Sequence, residues 1–190
     1  MLILVIILIF ILIYLYFNKD MVSVKSDVDN DVYVVRDLPD KQTAANMLAK
    51  IKQNIFYISN YLFEHIKNYP EYKQYISQLH SRIQNCIIME SSENSIYTSY
   101  SVNKGEQIVF CIRSRDKDHK RQLHSLNLMM YVALHEMSHV ACPENGHTEL
   151  FRKIFEFIAT TGVELGKYKR IPFAEQPVEC CGLIIKASII

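Results

Sequence analysis

Residues 125–151 read SLNLMMYVALHEMSHVACPENGHTELF, and this stretch decides the fold. Apolar side chains recur every three or four positions after Ser125, which predicts a buried helix with Ser125 as its N-cap. Pro143 ends that helix, and Gly146 allows the chain to reverse because glycine accepts a positive φ. Thr148 can then cap a second helix. We therefore expect two helices, joined by a tight reversal, at the centre of the domain.

The first of these helices carries an HExxH pattern. His135 and His139 are four residues apart, so both imidazoles project from one helix face and can bind one ion. Glu136 stands beside them, within reach of a water that the ion activates. This pattern is typical of zinc hydrolases, in which zinc-activated water is the nucleophile and the glutamate is the general base. The alternative, three polar side chains that are merely hydrogen-bonded on a core-facing helix, is disfavoured by the rarity of the pattern.

A catalytic zinc site needs a third protein ligand and keeps one position open. His147 follows the predicted reversal, which would return it to the face that carries His135 and His139. Glu156 and Glu164, in the second helix, are the alternatives, as in enzymes whose third ligand is a glutamate. We expect His147 to be the third ligand, with the two glutamates left open.

Composition limits the function classes. A chain of 190 residues with 49% hydrophobic side chains suits one compact domain. Its 21 basic and 20 acidic residues give a net charge of +1, so there is no strong signal for nucleic-acid binding. The five cysteines are irregularly spaced, which does not resemble a secreted disulfide framework and favours a reducing compartment. Cys180 and Cys181 are expected to be small buried side chains, with a thiolate ligand as the lesser alternative.

The chain begins with a uniformly apolar run. Residues 1–17, MLILVIILIFILIYLYF, carry no charged side chain and predict an uncleaved transmembrane anchor. Residues 18–31 are polar and Asp-rich, which predicts a tether, and residues 32–190 form the expected domain. The predicted location is therefore a membrane, host or virion, with a single-pass N-terminal anchor and the domain on the cytosolic side.

The rest of the chain alternates strand and helix patterns. A strand is predicted at 32–35. Pro39 and Asp40 predict the start of a long helix, with Asp40 as its cap, and the apolar repeat from residue 44 continues it to about residue 69, where Pro70 ends it. A second helix is predicted over 71–83 and a strand within 106–113. The predicted fold class is α+β, an N-terminal transmembrane helix followed by a compact zincin-like domain whose long helices pack on a small, mainly antiparallel sheet.

Substrate contacts are harder to predict. Residues 107–113 are expected to form the sheet edge along which an extended peptide would add as a strand. The candidates for stabilising an oxyanion are Tyr100, His119, His124 and Tyr168.

Five stretches of the chain carry a resemblance to a known family. They are VYVVRDLPDKQTAANMLA, SYSVNKGEQIVFCIR, the HExxH helix, GHTELF and PVECCG. Together they resemble a family of small predicted zinc metallopeptidases of large DNA viruses and protists, which is similar in motif order to the minimal WLM and SprT-type proteases. The resemblance covers residues 32–190 and implies zinc ligands at His135, His139 and His147, with Glu136 as the general base. The spacing from His139 to His147 is longer than in WLM proteins and shorter than in SprT-type proteins.

The expected function is that of a membrane-anchored zinc metallopeptidase acting on a protein or peptide. The alternative is a catalytically inactive, membrane-tethered zinc-binding protein with a structural or interaction role, for instance a virion component. Glu136 favours the enzyme, because a purely structural zinc site needs no base beside the metal.

Overall fold

The computed structural model of the chain describes residues 5–7, 20–116, 118 and 121–190. Residues 5–7 are helical, and the rest of this part contains four α-helices, which are α1 (Lys41–Glu64), α2 (Lys73–Ile83), α3 (Leu126–Ala141) and α4 (Glu149–Glu164). Its seven strands are β1 (Met21–Lys25), β2 (Val32–Arg36), β3 (Ile87–Glu90), β4 (Tyr100–Val102), β5 (Gln107–Phe110), β6 (Val178–Cys180) and β7 (Leu183–Ile185).

The strands of the described residues form three small sheets. β1 pairs with β2 and β6 pairs with β7, both antiparallel, while β5 lies between a parallel β3 and an antiparallel β4. The α+β class is confirmed. Three of the four strand pairings are antiparallel, in agreement with the expected mainly antiparallel pairing. The expectation of one sheet is wrong, because the strands of the described residues divide into three sheets.

The predicted transmembrane anchor is also corrected. No helix of the described residues is both long enough and apolar enough to cross a membrane, which overturns the transmembrane part of the fold class and the predicted membrane location. Of the predicted anchor, residues 1–17, the structure describes only residues 5–7, and the others lie outside the described residues.

The segment predicted as a tether, residues 18–31, contains strand β1. This strand pairs with β2 over its full length, and Val22 and Val24 pack against the hydrophobic core. The alternating valines in MVSVK are the local cause, since a strand buries every second side chain. This part of the segment is thus a sheet strand.

The first helix begins near the predicted position but ends early. α1 ends at Glu64 and is followed by two short 3-10 turns, Ile66–Asn68 and Pro70–Tyr72. Asp40 precedes the helix but makes no side-chain cap, since its carboxylate accepts a hydrogen bond from the guanidinium of Arg113 at 2.7 Å. An ion pair made across the fold replaces the expected local cap.

The two central helices form as predicted. The hydroxyls of Ser125 and Thr148 each cap a helix, accepting the amide N–H three residues on at 3.2 Å. α3 and α4 pack closely because Gly162 offers no side chain where they cross. A Cβ built there would lie 3.1 Å from the side chain of Leu134. This contact anchors the helix that carries the HExxH pattern.

A disulfide joins Cys111, just after β5, to Cys181, in the turn between β6 and β7. The two residues are separated by 70 positions, which explains why the spacing of cysteines does not reveal the bond. The cysteine spacing, which favours a reducing compartment, gives no indication of this pair. The expectation of a small buried side chain holds for Cys180, which is free and buried.

Candidate metal centre

Three histidines converge at one point on the surface of α3. The Nε2 atoms of His135 and His139 lie 3.1 Å apart, and the Nε2 atom of His147 lies 3.0 Å from the first and 3.2 Å from the second. His135 and His139 come from adjacent turns of α3, and His147 comes from the reversal that follows it. The three ring nitrogens thus form an almost equilateral triangle.

Hydrogen bonding alone does not satisfy this triangle. In a neutral imidazole each ring nitrogen is either a donor or an acceptor, never both. Three mutual contacts form an odd cycle, so at least one of the three pairs must place two donors or two acceptors face to face. A cation that accepts all three lone pairs removes this conflict, which makes the triangle a candidate metal site.

The donor set fits zinc. Imidazole nitrogens are common zinc ligands, and a tetrahedral ion with Zn–N bonds near 2.0–2.1 Å separates them by about 3.3 Å. The three separations of 3.0–3.2 Å are close to this value. Burial, reinforced by the neighbouring histidines, lowers the pKa of His135 to about 3. Burial also lowers the pKa of His139 to about 4, with His147 and Lys104 adding to the effect. Both rings are therefore neutral at neutral pH, as metal ligands must be.

The reversal between α3 and α4 brings His147 to the site. Gly146 adopts φ +77°, the conformation expected of it from the sequence. The ammonium group of Lys104 donates to the carbonyl oxygens of Cys142, at 2.9 Å, and of Glu144. These two bonds tie the reversal to the turn after β4, a contact that sequence periodicity does not reveal.

The two glutamates left open as third ligands lie elsewhere. Glu156 and Glu164 are exposed on α4, and neither belongs to the group of described residues whose ligand atoms converge with His135 and His139. The residue that completes the group is His147.

Glu136 is buried next to the triangle, with 3% of its surface exposed. One carboxylate oxygen, Oε2, is buried and has no hydrogen-bond partner in the described part of the chain. Burial raises the pKa of this carboxyl group to about 8, against an opposing backbone hydrogen bond from Ser101. An unpartnered buried carboxylate is costly, and here it lies in the wall of a cleft.

The cleft runs past the histidines and has a volume of about 760 Å³. Its walls are the approach to β4, the exposed side of α3, the reversal that carries His147, and the β6–β7 hairpin. Among the predicted oxyanion candidates, Tyr100 lines the cleft. His124 and Tyr168 lie in other buried surroundings, and His119 is outside the described residues.

The expected substrate edge is corrected. β5 (Gln107–Phe110) is the central strand of its sheet, with β3 on one side and β4 on the other, so it offers no edge. β4 is one of the two edge strands of this sheet, and its residues Tyr100 and Ser101 line the cleft. Its sequence, YSV, is too short for alternation to identify it.

Several cleft residues have no sequence signal at all. Cys180, Leu183 and Ile185 reach the cleft from the C-terminal hairpin, and Ser101 reaches Glu136 through its backbone. Contacts through backbone atoms, or with a hairpin far along the chain, leave no pattern of residue types in the sequence. They can be identified only from the folded structure.

Comparison with known proteins connects the chain to viral proteins. It is 44% identical over 167 residues to uncharacterized protein R325 of Acanthamoeba polyphaga mimivirus, an alignment that covers 88% of this chain and 83% of the relative. It is also 37% identical over 70 residues to uncharacterized protein 136R of Invertebrate iridescent virus 6, covering 37% of this chain and 38% of that protein. These relatives support the expectation of a viral protein. The chain belongs to the same family as the mimivirus protein R325.

No family model matches the chain. Two solved structures of Wss1 from Saccharomyces cerevisiae are similar to it. The structure of a Wss1 mutant has a TM-score of 0.47 at 16% identity, covering 70% of this chain and 89% of that chain. The second has a TM-score of 0.42 at 14% identity, covering 68% and 84%.

Proposed function

We propose that the chain is a zinc-dependent peptidase, with His135, His139 and His147 as zinc ligands and Glu136 as general base. One observation carries the proposal. Three imidazole nitrogens lie within 3.2 Å of one another beside a buried carboxylate oxygen that has no partner among the described residues. A structural site would require the triangle but would have no use for the unpaired carboxylate.

The metal and the glutamate have separate tasks. Bound zinc supplies Lewis-acid polarisation of a carbonyl group and lowers the pKa of water. Oε2 of Glu136 takes the proton of the attacking water and returns it to the leaving amine. The Ser101 amide engages the carboxylate by its backbone hydrogen bond and so orients the group. This leaves Oε2 free for proton transfer.

The cleft suits an extended peptide. β4 is an edge strand whose residues line the cleft, and among the described residues no strand pairs with its outer side. A peptide can therefore add to β4 through main-chain hydrogen bonds, which is a general mode of peptide recognition. The volume of about 760 Å³ accommodates several side chains of such a peptide.

The test is zinc-dependent cleavage of a mixed-peptide library by the full chain. We expect cleavage by the zinc-loaded protein, loss of cleavage after chelation, and recovery when zinc is restored. His147→Ala should lose both zinc affinity and cleavage, whereas His80→Ala, a histidine stacked on Phe63 away from the cleft, should keep both. A zinc-loaded wild-type chain that cleaves no member of the library would contradict the proposal.

A further inference from the structure

A second group of metal-binding side chains lies apart from the three histidines. The ligand atoms of His124, Cys180 and Cys181 all lie within 4.8 Å of one another. Cys111 is in bonding contact with Cys181 through the disulfide. All four residues are buried, at 3–8% exposure. We call these four residues the hairpin cysteine cluster. Three distant segments meet in it, namely the end of β5, the residue before the cap of α3, and the β6–β7 turn.

The ring of His124 is arranged as that of a ligand. Its Nε2 atom accepts the backbone N–H of Cys181 at 3.3 Å, so the ring proton is on Nδ1 and the Nε2 lone pair is directed at the turn that carries Cys181. A metal would take the place of this N–H when the turn moves. The Nε2 atom also lies 3.8 Å from Cys181 Sγ. A backbone hydrogen bond with Arg113 holds the ring. Metal-binding histidines commonly have their second nitrogen fixed in this way.

The hairpin turn also favours a specific role for Cys181. Cys181 and Gly182 have φ of +56° and +84° between β6 and β7, which is the pattern of a two-residue type I′ turn. Asn or Gly is usual at the first of these positions, because most other residues are strained at positive φ. A cysteine there has a backbone cost, and its sulfur is directed to Cys111 and His124.

We propose that the thiol form of the chain binds a second, structural metal ion through Cys111, Cys180, Cys181 and His124. Three thiolates and one imidazole form a closed Cys₃His set, which takes a thiophilic divalent cation, zinc above all. The carboxylate of Glu179, in strand β6 beside the cluster, already accepts hydrogen bonds from the hydroxyl of Ser114 at 2.6 Å and from the amide of Gly182. It is therefore not counted among the ligands.

The disulfide and the metal are alternative states of the same sulfurs. Two small-molecule thiols can break the Cys111–Cys181 bond by exchange, yielding two cysteine thiols while the two small thiols join as a disulfide. Zinc then displaces one proton from each of the three cysteine thiols. The bonded sulfurs must separate to about 3.8 Å, the distance between two sulfur ligands of tetrahedral zinc. The turn that carries Cys181 is the segment that moves.

The second site would support the cleft without taking part in the reaction. Cys180, Leu183 and Ile185 of the hairpin line the cleft beside the three histidines. A metal held by Cys180 and Cys181 would fix that wall to the end of β5, as the disulfide does in the oxidised chain, and would also fix it to the start of α3 through His124. This site does not rest on the proposed peptidase activity.

Metal content in the two redox states tests the proposal. The full chain would first be reduced with a phosphine. The phosphine becomes its oxide, and water supplies the oxygen and the two thiol protons. The reduced chain would then be freed of metal and titrated with zinc or cobalt(II). We expect about two zinc ions per reduced chain and about one per oxidised chain. Cobalt should give thiolate charge-transfer absorption in the reduced chain alone. One zinc in both states, with no such absorption, would overturn the proposal.

Variants separate the two sites. Cys180→Ser and His124→Ala should each lower the reduced chain to about one zinc and weaken the thiolate absorption. Cys86→Ser, which removes a buried thiol outside the cluster, should keep both. His135→Ala combined with His139→Ala should lose the other ion and keep the absorption, so failure of the histidine site is distinguishable. If Cys180→Ser does not fold, the wild-type comparison between redox states still decides.

Discussion

The ring of Phe151 stacks on the imidazole of His139, with 4.3 Å between the ring centroids and 29° between the planes. The same ring makes edge contacts with His135 at 5.0 Å and with His147 at 4.9 Å. One buried side chain of α4, 2% exposed, therefore touches all three histidines. It acts as the platform that sets their mutual orientation.

Replacing this platform should affect both stability and metal binding. Phe151→Ala removes a buried aromatic ring, and we expect it to lower the free energy of unfolding by roughly 3–5 kcal/mol. Zinc affinity should fall by roughly tenfold or more, because the imidazoles lose their support. Urea unfolding and competition with a chromophoric chelator measure the two effects. Phe63→Ala, an exposed ring stacked on His80, is the control, and equal losses in both variants would contradict the role of Phe151.

Gly105 holds the turn after β4 against α3. Its φ is +116°, and a Cβ there would lie 2.9 Å from Val140 Cγ1. Gly105→Ala should lower the free energy of unfolding by roughly 2–4 kcal/mol through strain and overpacking. Gly166→Ala is the matched control, with φ +65° and nothing within 4 Å of the built Cβ, and should cost only about 1 kcal/mol. Thermal unfolding that ranks the two variants the other way would refute the close contact.

Arg113 joins a buried carboxylate, Glu90, to a partly exposed one, Asp40. Its guanidinium lies 2.7 Å from Glu90 and 2.7 Å from Asp40. Arg113→Met leaves the Glu90 carboxylate buried without the guanidinium that pairs with its Oε1, so we expect a loss of about 3–5 kcal/mol in the free energy of unfolding. Combining it with Glu90→Gln should recover part of this loss. The control is Lys153→Met, which breaks an exposed pair with Glu149 and should lower the free energy of unfolding by less than about 0.5 kcal/mol. If urea unfolding shows an equally small loss for Arg113→Met, the pair of Arg113 with Glu90 has no structural role.

The buried thiol of Cys86 should make the free energy of unfolding depend on pH in the alkaline range. Burial raises the pKa of its thiol from 9.0 to about 11. The folded chain therefore keeps a proton that the unfolded chain loses as the pH rises above 9, so the contribution of the thiol is complete below pH 9 and is lost toward pH 11. Urea unfolding of the non-reduced chain should show a steeper loss over this range in the wild type than in Cys86→Ala. Parallel pH profiles would mean that Cys86 is accessible to solvent.

The features that the sequence predicts correctly are local ones. Ser125 and Thr148 bond to amides three residues away, and the apolar face of α3 repeats every three or four positions. Such features depend on chain geometry within one or two helical turns. The convergence of His147 with His135 follows the same logic, because Pro143 and Gly146 constrain a reversal of only a few residues.

The features that escape prediction depend on partners far along the chain. Cys111 forms a disulfide with Cys181, 70 positions away, and the Asp40 side chain pairs with Arg113 where a helix cap is expected. The contact between Ser101 and Glu136 uses a backbone amide, which every non-proline residue possesses. No residue type at these positions indicates its partner, so the fold must be known first.

The central claim is that Glu136 moves a proton beside a metal held by three histidines. Its most direct test is the kcat/KM for cleavage of one library-derived peptide by zinc-loaded wild type and zinc-loaded Glu136→Gln. Glutamine preserves the shape of the side chain and cannot act as the base, so zinc content should be unchanged while kcat/KM falls by about 10²–10⁴-fold. Cleavage by Glu136→Gln at the wild-type rate, with equal zinc content, would contradict the claim.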